Sequence, residues 1–441
     1  EPEIRKAIEI IKLESSENDT LSQCLKYGIC YHNSGLSSLV KETIEELIRN
    51  DHIKCVFATT TLAQGMNFPI NTVIFSTTKF LGQNSRNLTN AEFWNIAGRA
   101  GRAYKDKEGY IITPYISSPQ ETRRNVRKYI KNDLEQIISS LNLFFVEDNQ
   151  INLDYNFLKE DRNAPILNLI QYINHIINVS YDYNINPSDM VKIRTILNDS
   201  FLYHSLSKDV GYINAQYKLN NFVTQYVRHI STKKKLDLEN ADRLGISDIS
   251  YSKVKSMVSA FILRLKAQGD NGYKVSNIIL KTKDLNKLSE IIFIISRIPE
   301  INIAMTGKGT LDTQSIASLL LGWVGGQKIG DIAATIKREN QSMEDVIELC
   351  NRYLNSQMKS YMPWGINIFQ ELSYDVDTED AKMLPSYIYY GVSSKEAVIV
   401  SRIGVPRFAS NSVLQVLKKE HPDIKIDVQN MENLKKAIRN I

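Results

Sequence analysis

The sequence lacks several features that mark particular classes of protein. Only four cysteines occur among 441 residues, and none has the C-x-x-C spacing of a zinc or redox site. No apolar run reaches the roughly 18 residues that a membrane-spanning helix needs, and the start does not resemble a signal peptide. The formal net charge is only +5, which permits nucleic-acid binding without indicating it. We therefore predict a cytoplasmic protein with reduced, mostly buried thiols, no bound structural metal and no membrane partner.

Two nucleotide-binding motifs are also absent. The sequence has neither a G-x-x-x-x-G-K-[ST] phosphate loop nor a D-E-x-[DH] box. The nearest match, 307–310, reads G-K-G-T and places Gly309 where a Ser or Thr must bind magnesium. We interpret that match as a surface turn, and we do not expect the chain by itself to hydrolyse ATP.

What is present is the balance of a soluble globular protein, with 43% hydrophobic and 23% charged residues. At about 150 residues per domain, the length allows about three domains. In the first 113 residues short apolar runs alternate with helical patterns, which indicates a doubly wound parallel sheet. The predicted strands are Tyr27–Tyr31, Cys55–Ala58 as a buried strand, Thr72–Thr77 and Gly109–Thr113.

Amphipathic periodicity predicts two helices beside these strands. One covers Ile4–Leu13 and the other Leu36–Ile48. Ser37 or Ser38 is expected to cap the second helix, because a hydroxyl at that position accepts a backbone hydrogen bond. Its three glutamates are expected to face outward, namely Glu42, Glu45 and Glu46.

One stretch, Val56 to Arg102, dominates the sequence. It opens V-F-A-T-T-T-L-A-Q-G-M-N-F-P and closes F-W-N-I-A-G-R-A-G-R. Hydroxyl residues at the end of a strand lie where open α/β sheets bind ligands. Arg99 and Arg102 can point at one anionic centre, and arginine presents a rigid fork of donors that suits phosphate oxygens. By itself G-R-A-G-R is equally compatible with an ordinary basic loop, but the two motifs together are much harder to obtain by chance.

The two motifs together resemble the second RecA-like domain of superfamily 2 helicases, of the DExH-box superkiller-like and archaeal Hel-type group. Ala58–Pro69 is similar to motif V of that family and Asn95–Arg102 to motif VI. Upstream, residues 31–36 (Y-H-N-S-G-L) resemble the family's H-H-x-G-L motif. Asn95 stands where the family usually has Gln, and Tyr31 stands in place of its first His.

The resemblance implies roles for individual residues. Arg99 and Arg102 would face the nucleotide γ-phosphate as catalytic residues, with Arg102 as the arginine finger. The implied nucleotide-binding positions are Gly65, Asn67, Asn95 and Gly98. The implied contacts with the nucleic-acid backbone are His32, Thr59 and Thr61.

The same resemblance implies partners that this sequence does not contain. ATP and Mg²⁺ would be held mainly by a first RecA-like domain, which carries the two absent motifs. The chain begins Glu1-Pro2 without a Met. We therefore expect it to be a fragment that starts inside the second RecA-like domain.

After residue 118 the pattern becomes mainly helical, and the family suggests four domains. The predicted domains are 1–118, an N-terminally incomplete second RecA-like domain; 119–265, a helical linker and winged-helix-like region; 266–375, a helical ratchet domain; and 376–441, a helix-hairpin-helix-like domain. Leu238–Val258 has helix-turn-helix spacing with Gly245 in the turn. That pair could read a DNA groove, but structural packing is the favoured interpretation.

Two helical regions carry further nucleic-acid candidates. The long helix predicted near 343–372 resembles the family's ratchet helix, with Arg352, Lys359 and Trp364 as strand contacts. Trp364 could stack on a base or fill the core, and the sequence favours neither. In the last domain, Ser393 or Ser394 begins a helix and Gly404 makes a tight turn that Arg402 and Arg407 flank. A purely structural hairpin is the alternative there.

The function implied by the resemblance is an ATP-dependent helicase or translocase that moves 3′ to 5′ on single-stranded or branched nucleic acid, with DNA favoured over RNA. The alternative is a nucleic-acid-binding scaffold with an inactive motor, for example in an antiphage defence system with a nuclease partner. An annealing or remodelling protein is a third hypothesis.

Overall fold

The structure is a computed structural model, and it describes residues 2–14, 20–33, 35–59, 70–77, 79–80, 86–101, 108–113, 119–131, 139, 141–146, 153–160, 163–185, 187–301 and 310–439. By internal packing the chain divides into two compact units. The first comprises Glu1–Ile137 with Gln327–Asn355, and the second comprises Ile138–Gly326 with Ser356–Ile441. Gln327–Asn355, which we had placed in the ratchet domain, thus groups with the N-terminal residues. The four-domain division stays a prediction.

The N-terminal part of the first unit combines short strands with helices. The strands are β1 (Ile29–His32), β2 (Cys55–Ala58), β3 (Thr72–Ile74), β4 (Lys79–Phe80), β5 (Arg86–Asn87) and β6 (Tyr110–Ile112). The helices are α1 (Pro2–Glu14), α2 (Thr20–Leu25), α3 (Ser38–Arg49), α4 (Asn90–Ala97) and α5 (Pro119–Lys131). The strands and helices predicted in this part are therefore confirmed, with boundaries that shift by a few residues.

The strand pairs have the parallel sense that the sequence predicts. β1 lies parallel to β2, with Ile29 opposite Cys55, and β3 lies parallel to β6, with Thr72 opposite Tyr110. β4 and β5 form an antiparallel pair. The prediction that Cys55–Ala58 is buried is wrong for the described residues, because Phe57 is 65% exposed. β2 pairs with β1 along one edge, and no other described strand pairs with it.

The first core of this unit packs α1, α2 and α3 around β1. Its fully buried members include Ile11, Leu25, Cys30 and Ile44. Ser37 caps α3 by accepting a hydrogen bond from the Val40 backbone N–H, as predicted. Burial raises the pKa of the Cys30 thiol to about 12, so this thiol stays protonated at neutral pH. The prediction of mostly buried thiols holds for Cys30 and Cys350, whereas Cys24 is half-buried and Cys55 is exposed.

One predicted surface residue of α3 lies inside. Glu42 and Glu46 are exposed as expected, but Glu45 is buried. Its Oε1 lies 3.2 Å from Nε2 of His32, and its Oε2 lies 3.8 Å from Nη2 of Arg49. A carboxylate tolerates burial when such partners are available. Helical periodicity alone could not find this pairing, because His32 lies on a strand.

The second unit is helical in the residues described. Its helices up to residue 324 are α6 (Asn142–Val146), α7 (Tyr155–Leu158), α8 (Ala164–Tyr181), α9 (Pro187–Asn198), α10 (Phe201–Val210), α11 (Tyr212–Ile230), α12 (Lys235–Leu244), α13 (Asp248–Ala267), α14 (Val275–Asn277), α15 (Leu285–Ile295) and α16 (Thr313–Val324). A π-helical turn, Ile278–Thr282, follows α14. None of the helices in the described part of the chain is both long and apolar enough to cross a bilayer.

The remaining helices complete both units. They are α17 (Ile329–Ile336), α18 (Met343–Tyr353), α19 (Met362–Ser373), α20 (Glu379–Tyr390), α21 (Lys395–Arg402), α22 (Arg407–Glu420) and α23 (Met431–Arg439). A π-helical segment, Leu354–Tyr361, separates α18 from α19. Helical structure over the predicted 343–372 stretch is thus confirmed. The ratchet character of this region stays a prediction.

The predicted helix-turn-helix is present as α12 and α13. Gly245 between them has a φ of +73°, a conformation that favours glycine, and Ser247 caps α13. Buried carboxylates anchor the pair to the neighbouring helices. Asp248 accepts a hydrogen bond from the Tyr226 hydroxyl (3.0 Å), and one of its oxygens lies 2.8 Å from Nε2 of His229.

These anchors fit the structural interpretation of the pair. A winged helix would add a β-hairpin, but no strand follows Ile112 among the residues described. The winged-helix assignment therefore stays a prediction.

Trp364 lies against this helix-turn-helix. Its indole Nε1 donates a hydrogen bond to the Leu244 carbonyl oxygen (2.8 Å), and its ring lies over Gly245. The side chain is half-buried. This contact gives Trp364 a packing role within the chain, while its predicted stacking on a base stays a prediction.

We expect Trp364→Ala to destabilise the second unit by about 2 kcal/mol, because it removes half-buried aromatic surface and leaves the Leu244 carbonyl without its donor. Thermal unfolding and single-strand affinity should be measured on the same variant. Trp364→Phe is the control, since it keeps a ring that can stack but loses the indole donor. An unchanged melting temperature with weakened strand affinity would instead favour base stacking.

Gly365 lies where α19 approaches α15. A Cβ at this position would lie 2.3 Å from Cγ2 of Ile295 and 3.2 Å from Cδ1 of Ile301. The Ile295 methyl belongs to a stiff β-branched side chain and cannot easily move away.

We expect Gly365→Ala to lower the free energy of unfolding by about 1–3 kcal/mol through overpacking, despite the better helix propensity of alanine. Urea unfolding checks this expectation. Asn367→Ala, an exposed change on the same helix, is the control and should change stability by less than about 0.5 kcal/mol. Equal stability of the two variants would contradict the close packing.

Candidate nucleotide and nucleic-acid interface

The carboxyl ends of β1 and β2 bring two of the predicted nucleic-acid contacts together. The backbone N–H of Thr59, just after β2, donates to the carbonyl oxygen of His32, the last residue of β1 (3.2 Å). Parallel strands place their carboxyl ends at one edge of a sheet, where ligands of open α/β folds bind. Thr59 is exposed at this edge, whereas His32 is only 6% exposed and is held by Glu45. Thr61, Gly65 and Asn67 lie outside the described residues.

The start of α4 is fixed by reciprocal hydrogen bonds. The Thr89 hydroxyl accepts from the Glu92 backbone N–H (3.2 Å), and the Glu92 carboxylate accepts from the Thr89 backbone N–H (2.9 Å). This capping box satisfies donors that a helix start leaves unpaired. The helix therefore enters the motif VI segment with a defined start.

The end of α4 presents the motif VI residues. Asn95 and Gly98 are exposed, and Arg99 is half-buried. The Gly98 backbone N–H donates to the Trp94 carbonyl and that of Arg99 to the Ile96 carbonyl, at 2.8 and 3.1 Å. Arg102, the predicted finger, lies outside the described residues.

Two glycines hold the motif VI backbone close to a neighbouring strand. Gly101 has a φ of +91°, and its N–H donates to the Ile70 carbonyl (2.8 Å). Gly109, just before β6, comes so close that a Cβ there would lie 2.5 Å from the carbonyl carbon of Ala100. Gly101 thus lets the backbone of the G-R-A-G-R motif pack closely against the residues just before β6. Gly109 lies outside the G-R-A-G-R motif, so that motif could not indicate its role in this contact.

An aromatic stack holds the buried face of α4. Phe93 lies between Phe75 and Tyr129, with ring centroids 4.8 and 4.4 Å apart and nearly parallel planes. The Tyr129 hydroxyl donates to the Leu88 carbonyl (2.8 Å), and the Trp94 indole donates to the Tyr129 carbonyl (3.0 Å). Sequence reasoning missed these positioning residues. Tyr129 lies in a basic helix whose pattern gives no sign that one aromatic ring turns inward.

The remaining predicted contacts have different surroundings. Arg352 is exposed, and its Nε lies 3.9 Å from Oε1 of Glu348; Lys359 is half-buried. At the predicted hairpin, α21 and α22 flank Gly404, which has a φ of +101°, and Ser394 caps α21 as one of the two predicted caps. Two helices joined by a tight turn are thus present, whereas the helix-hairpin-helix assignment and its phosphate role stay predictions.

The two arginines that flank this hairpin differ in exposure. Arg402 is exposed, with its guanidinium 6.0 Å from the centre of the Tyr390 ring. Arg407 is only 8% exposed, and its guanidinium lies 4.2 Å from the centre of the Trp323 ring. A cation over an aromatic ring is stabilised by the negative face of that ring. Of the two arginines, Arg402 is the exposed one and is therefore accessible to a nucleic-acid strand.

Comparison with known proteins gives one family match. Residues 5–104 match the model of the helicase conserved C-terminal domain. Among curated proteins, the Hachiman protein HamB of Bacillus cereus is 43% identical over 99 residues, which are 22% of this chain and 9% of that protein. The antiviral helicase SKI2 of Saccharomyces cerevisiae is 44% identical over 117 residues, 25% of this chain and 9% of that protein.

A third relative, the human exosome RNA helicase MTR4, is 44% identical over 89 residues, 20% of this chain and 8% of that protein. Each match therefore spans less than a tenth of the length of the relative. The family match covers the strands β1 to β3, the helix α4 and the arginine segment that follows it. Residues 5–104 of this chain therefore match the conserved C-terminal domain of helicases, and these relatives support the resemblance to the superkiller-like group of superfamily 2 DExH-box helicases.

Proposed function

We propose that this chain is the part of an ATP-dependent nucleic-acid helicase or translocase that supplies the arginine clamp and part of the single-strand path. The observation that carries the proposal is the family match over 5–104, a range that includes α4 and Arg99. The capping box, the aromatic stack and the Gly101 backbone contact together hold this segment.

The clamp would act through charge. As a nucleotide phosphate is transferred to water, negative charge spreads over its oxygens, and a positioned guanidinium stabilises that charge. Arg99 and Arg102 would supply two such groups, with Arg102 as the finger. Rigid positioning matters, because a clamp that must first order itself spends part of its binding free energy on that ordering.

The single-stranded nucleic acid would contact the same domain at the edge where β1 and β2 end. Thr59 and Thr61 would contact its phosphate backbone at the carboxyl ends of β1 and β2, next to His32. Nucleotide-driven closure would then move this edge along the strand, in the 3′ to 5′ direction expected of the family. His32 would act mainly by orienting the edge, since it is buried and held by Glu45.

ATP would reach this chain from a partner domain. Gly65, Asn67, Asn95 and Gly98 would contact the nucleotide, and the exposed Asn95 and Gly98 leave room for it. Bound Mg²⁺ would neutralise charge on the phosphates. By the family resemblance, Mg²⁺ would be held mainly by the first RecA-like domain.

The track, meaning the nucleic acid along which the protein would move, is either DNA or RNA. We favour single-stranded or branched DNA, although MTR4 is named an RNA helicase. A defence role, with a nuclease partner, is a further proposal that the name of the antiviral helicase SKI2 supports. The alternative function is a nucleic-acid-binding scaffold with an inactive motor, in which the arginines would be structural.

We expect Arg102→Ala, made in the full-length protein, to abolish strand-stimulated ATP hydrolysis, with a loss on the order of 10³-fold in turnover. Strand affinity should stay nearly unchanged, because the finger acts on the charge of the transition state. Turnover should be measured with and without single-stranded DNA and RNA. Arg124→Ala, an exposed change on α5, is the control.

The outcomes separate the two functions. Stimulation by one polymer that is lost in Arg102→Ala supports a motor and names its track. Turnover that Arg102→Ala leaves unchanged rules out the finger assignment. Strand binding without hydrolysis under any condition favours the scaffold.

A further inference from the structure

A cavity of about 210 Å³ lies in the second unit, between the segment around residues 271–281 and the start of α20. None of its lining residues belongs to the helicase motifs described above. Its polar and charged lining includes Asn271, Lys274, Asn277, Lys281, Thr378 and Asp380.

Two lysines of this cavity have no carboxylate partner. Lys274 is half-buried and Lys281 is exposed, and in the part of the chain that the structure describes neither forms an ion pair. Two lysine side chains without acidic partners beside one cavity raise the positive potential there. An anion that enters the cavity would supply the missing charge.

Nearby acidic groups already have other partners. Asp270 lies 2.6 Å from Nζ of Lys287, and this hydrogen bond lowers the pKa of the Asp270 carboxyl. Asp375 is buried and accepts hydrogen bonds from the backbone N–H and the hydroxyl of Ser276, each at 2.9 Å. These bonds hold the walls of the cavity in place without neutralising its two lysines.

Asp380 is the one carboxylate in the lining, and it opposes an anion. It is exposed, and the Tyr387 hydroxyl lies 3.4 Å from its Oδ1. The titratable lining therefore carries two positive charges and one negative charge, a net +1. Asp380 should limit the affinity for an anion, which makes it a useful probe.

The size of the cavity restricts what it can hold. Sites for complete small ligands usually measure about 300–1,000 Å³. The cavity is smaller, so it fits a charged group with a short attachment better than a whole nucleotide. Lysine binds phosphate as a point charge, and amide and hydroxyl groups such as those of Asn271, Asn277 and Thr378 can donate to phosphate oxygens.

We propose that this cavity binds a backbone phosphate of a single-stranded nucleic acid, through Lys274 and Lys281. The choice of a strand as the source of the phosphate rests on the proposed function. The phosphate chemistry itself rests on the cavity and its lysines. The site would be a strand contact additional to the helicase motifs.

The test is the affinity of the 441-residue chain for a fluorescein-labelled single-stranded oligonucleotide, measured by anisotropy across a salt series. The double variant Lys274→Gln/Lys281→Gln should weaken binding about tenfold at low salt. Losing one phosphate contact should also reduce the slope of log affinity against log salt by about 0.7. Asp380→Asn should tighten binding about two- to threefold.

A matched control is available on α20. Lys382→Gln removes one positive charge close to the cavity without altering its lining, and it should change affinity less than twofold. The double variant should keep the melting temperature of the unaltered chain, which excludes unfolding as the cause. Unchanged strand affinity in the double variant, or an equal loss in Lys382→Gln, would overturn the assignment.

A second arm uses inorganic phosphate and separates this proposal from the proposed function. A rise in melting temperature with phosphate that disappears in the double variant would support the phosphate chemistry, even if the full-length protein hydrolysed no ATP. If free phosphate bound while the double variant kept full strand affinity, the backbone assignment would be wrong.

Discussion

The stack of Phe75, Phe93 and Tyr129 is the interaction on which the motif VI geometry depends. Phe93 contributes from the buried face of α4, and its two neighbours come from the segment after β3 and from α5. Stacked aromatic rings gain about 0.5–1.5 kcal/mol beyond the burial of their area. The larger effect is geometric, because three elements far apart in sequence are held at one point. The arginine segment begins one turn after that point.

The domain thus separates rigid support from chemistry. Rings and caps determine where α4 lies, whereas exposed residues at its end face the solvent or a ligand. β1 and β2 follow the same arrangement, since the buried His32–Glu45 pair supports an edge at which Thr59 is exposed. Residues that touch a ligand can act with little reorganisation when others keep the backbone in place. This arrangement explains why the exposed motif residues depend on buried apolar neighbours that belong to no recognisable motif.

Much of this fold could be predicted from local sequence patterns. Strand runs, helix periodicity and the caps Ser37 and Ser394 depend on neighbours within a few residues, and those elements could be predicted. What the patterns could not supply were pairings across long distances in the chain. Glu45 reads as a surface glutamate until His32 is placed beside it, and no local pattern indicates that the Arg407 guanidinium lies over the Trp323 ring. The cavity at Lys274 carries no sequence signal either, because Thr378 lies about a hundred residues away.

The contact between Gly109 and the Ala100–Gly101 backbone has an evolutionary consequence. When two side chains collide, a smaller residue at one position can rescue a larger one at the other, and the two positions covary. Here any Cβ at Gly109 would meet main-chain atoms, which no substitution can shrink. No second substitution can therefore make room for a side chain at Gly109. In related sequences with the same backbone, we expect a glycine at this position and no other position that covaries with it.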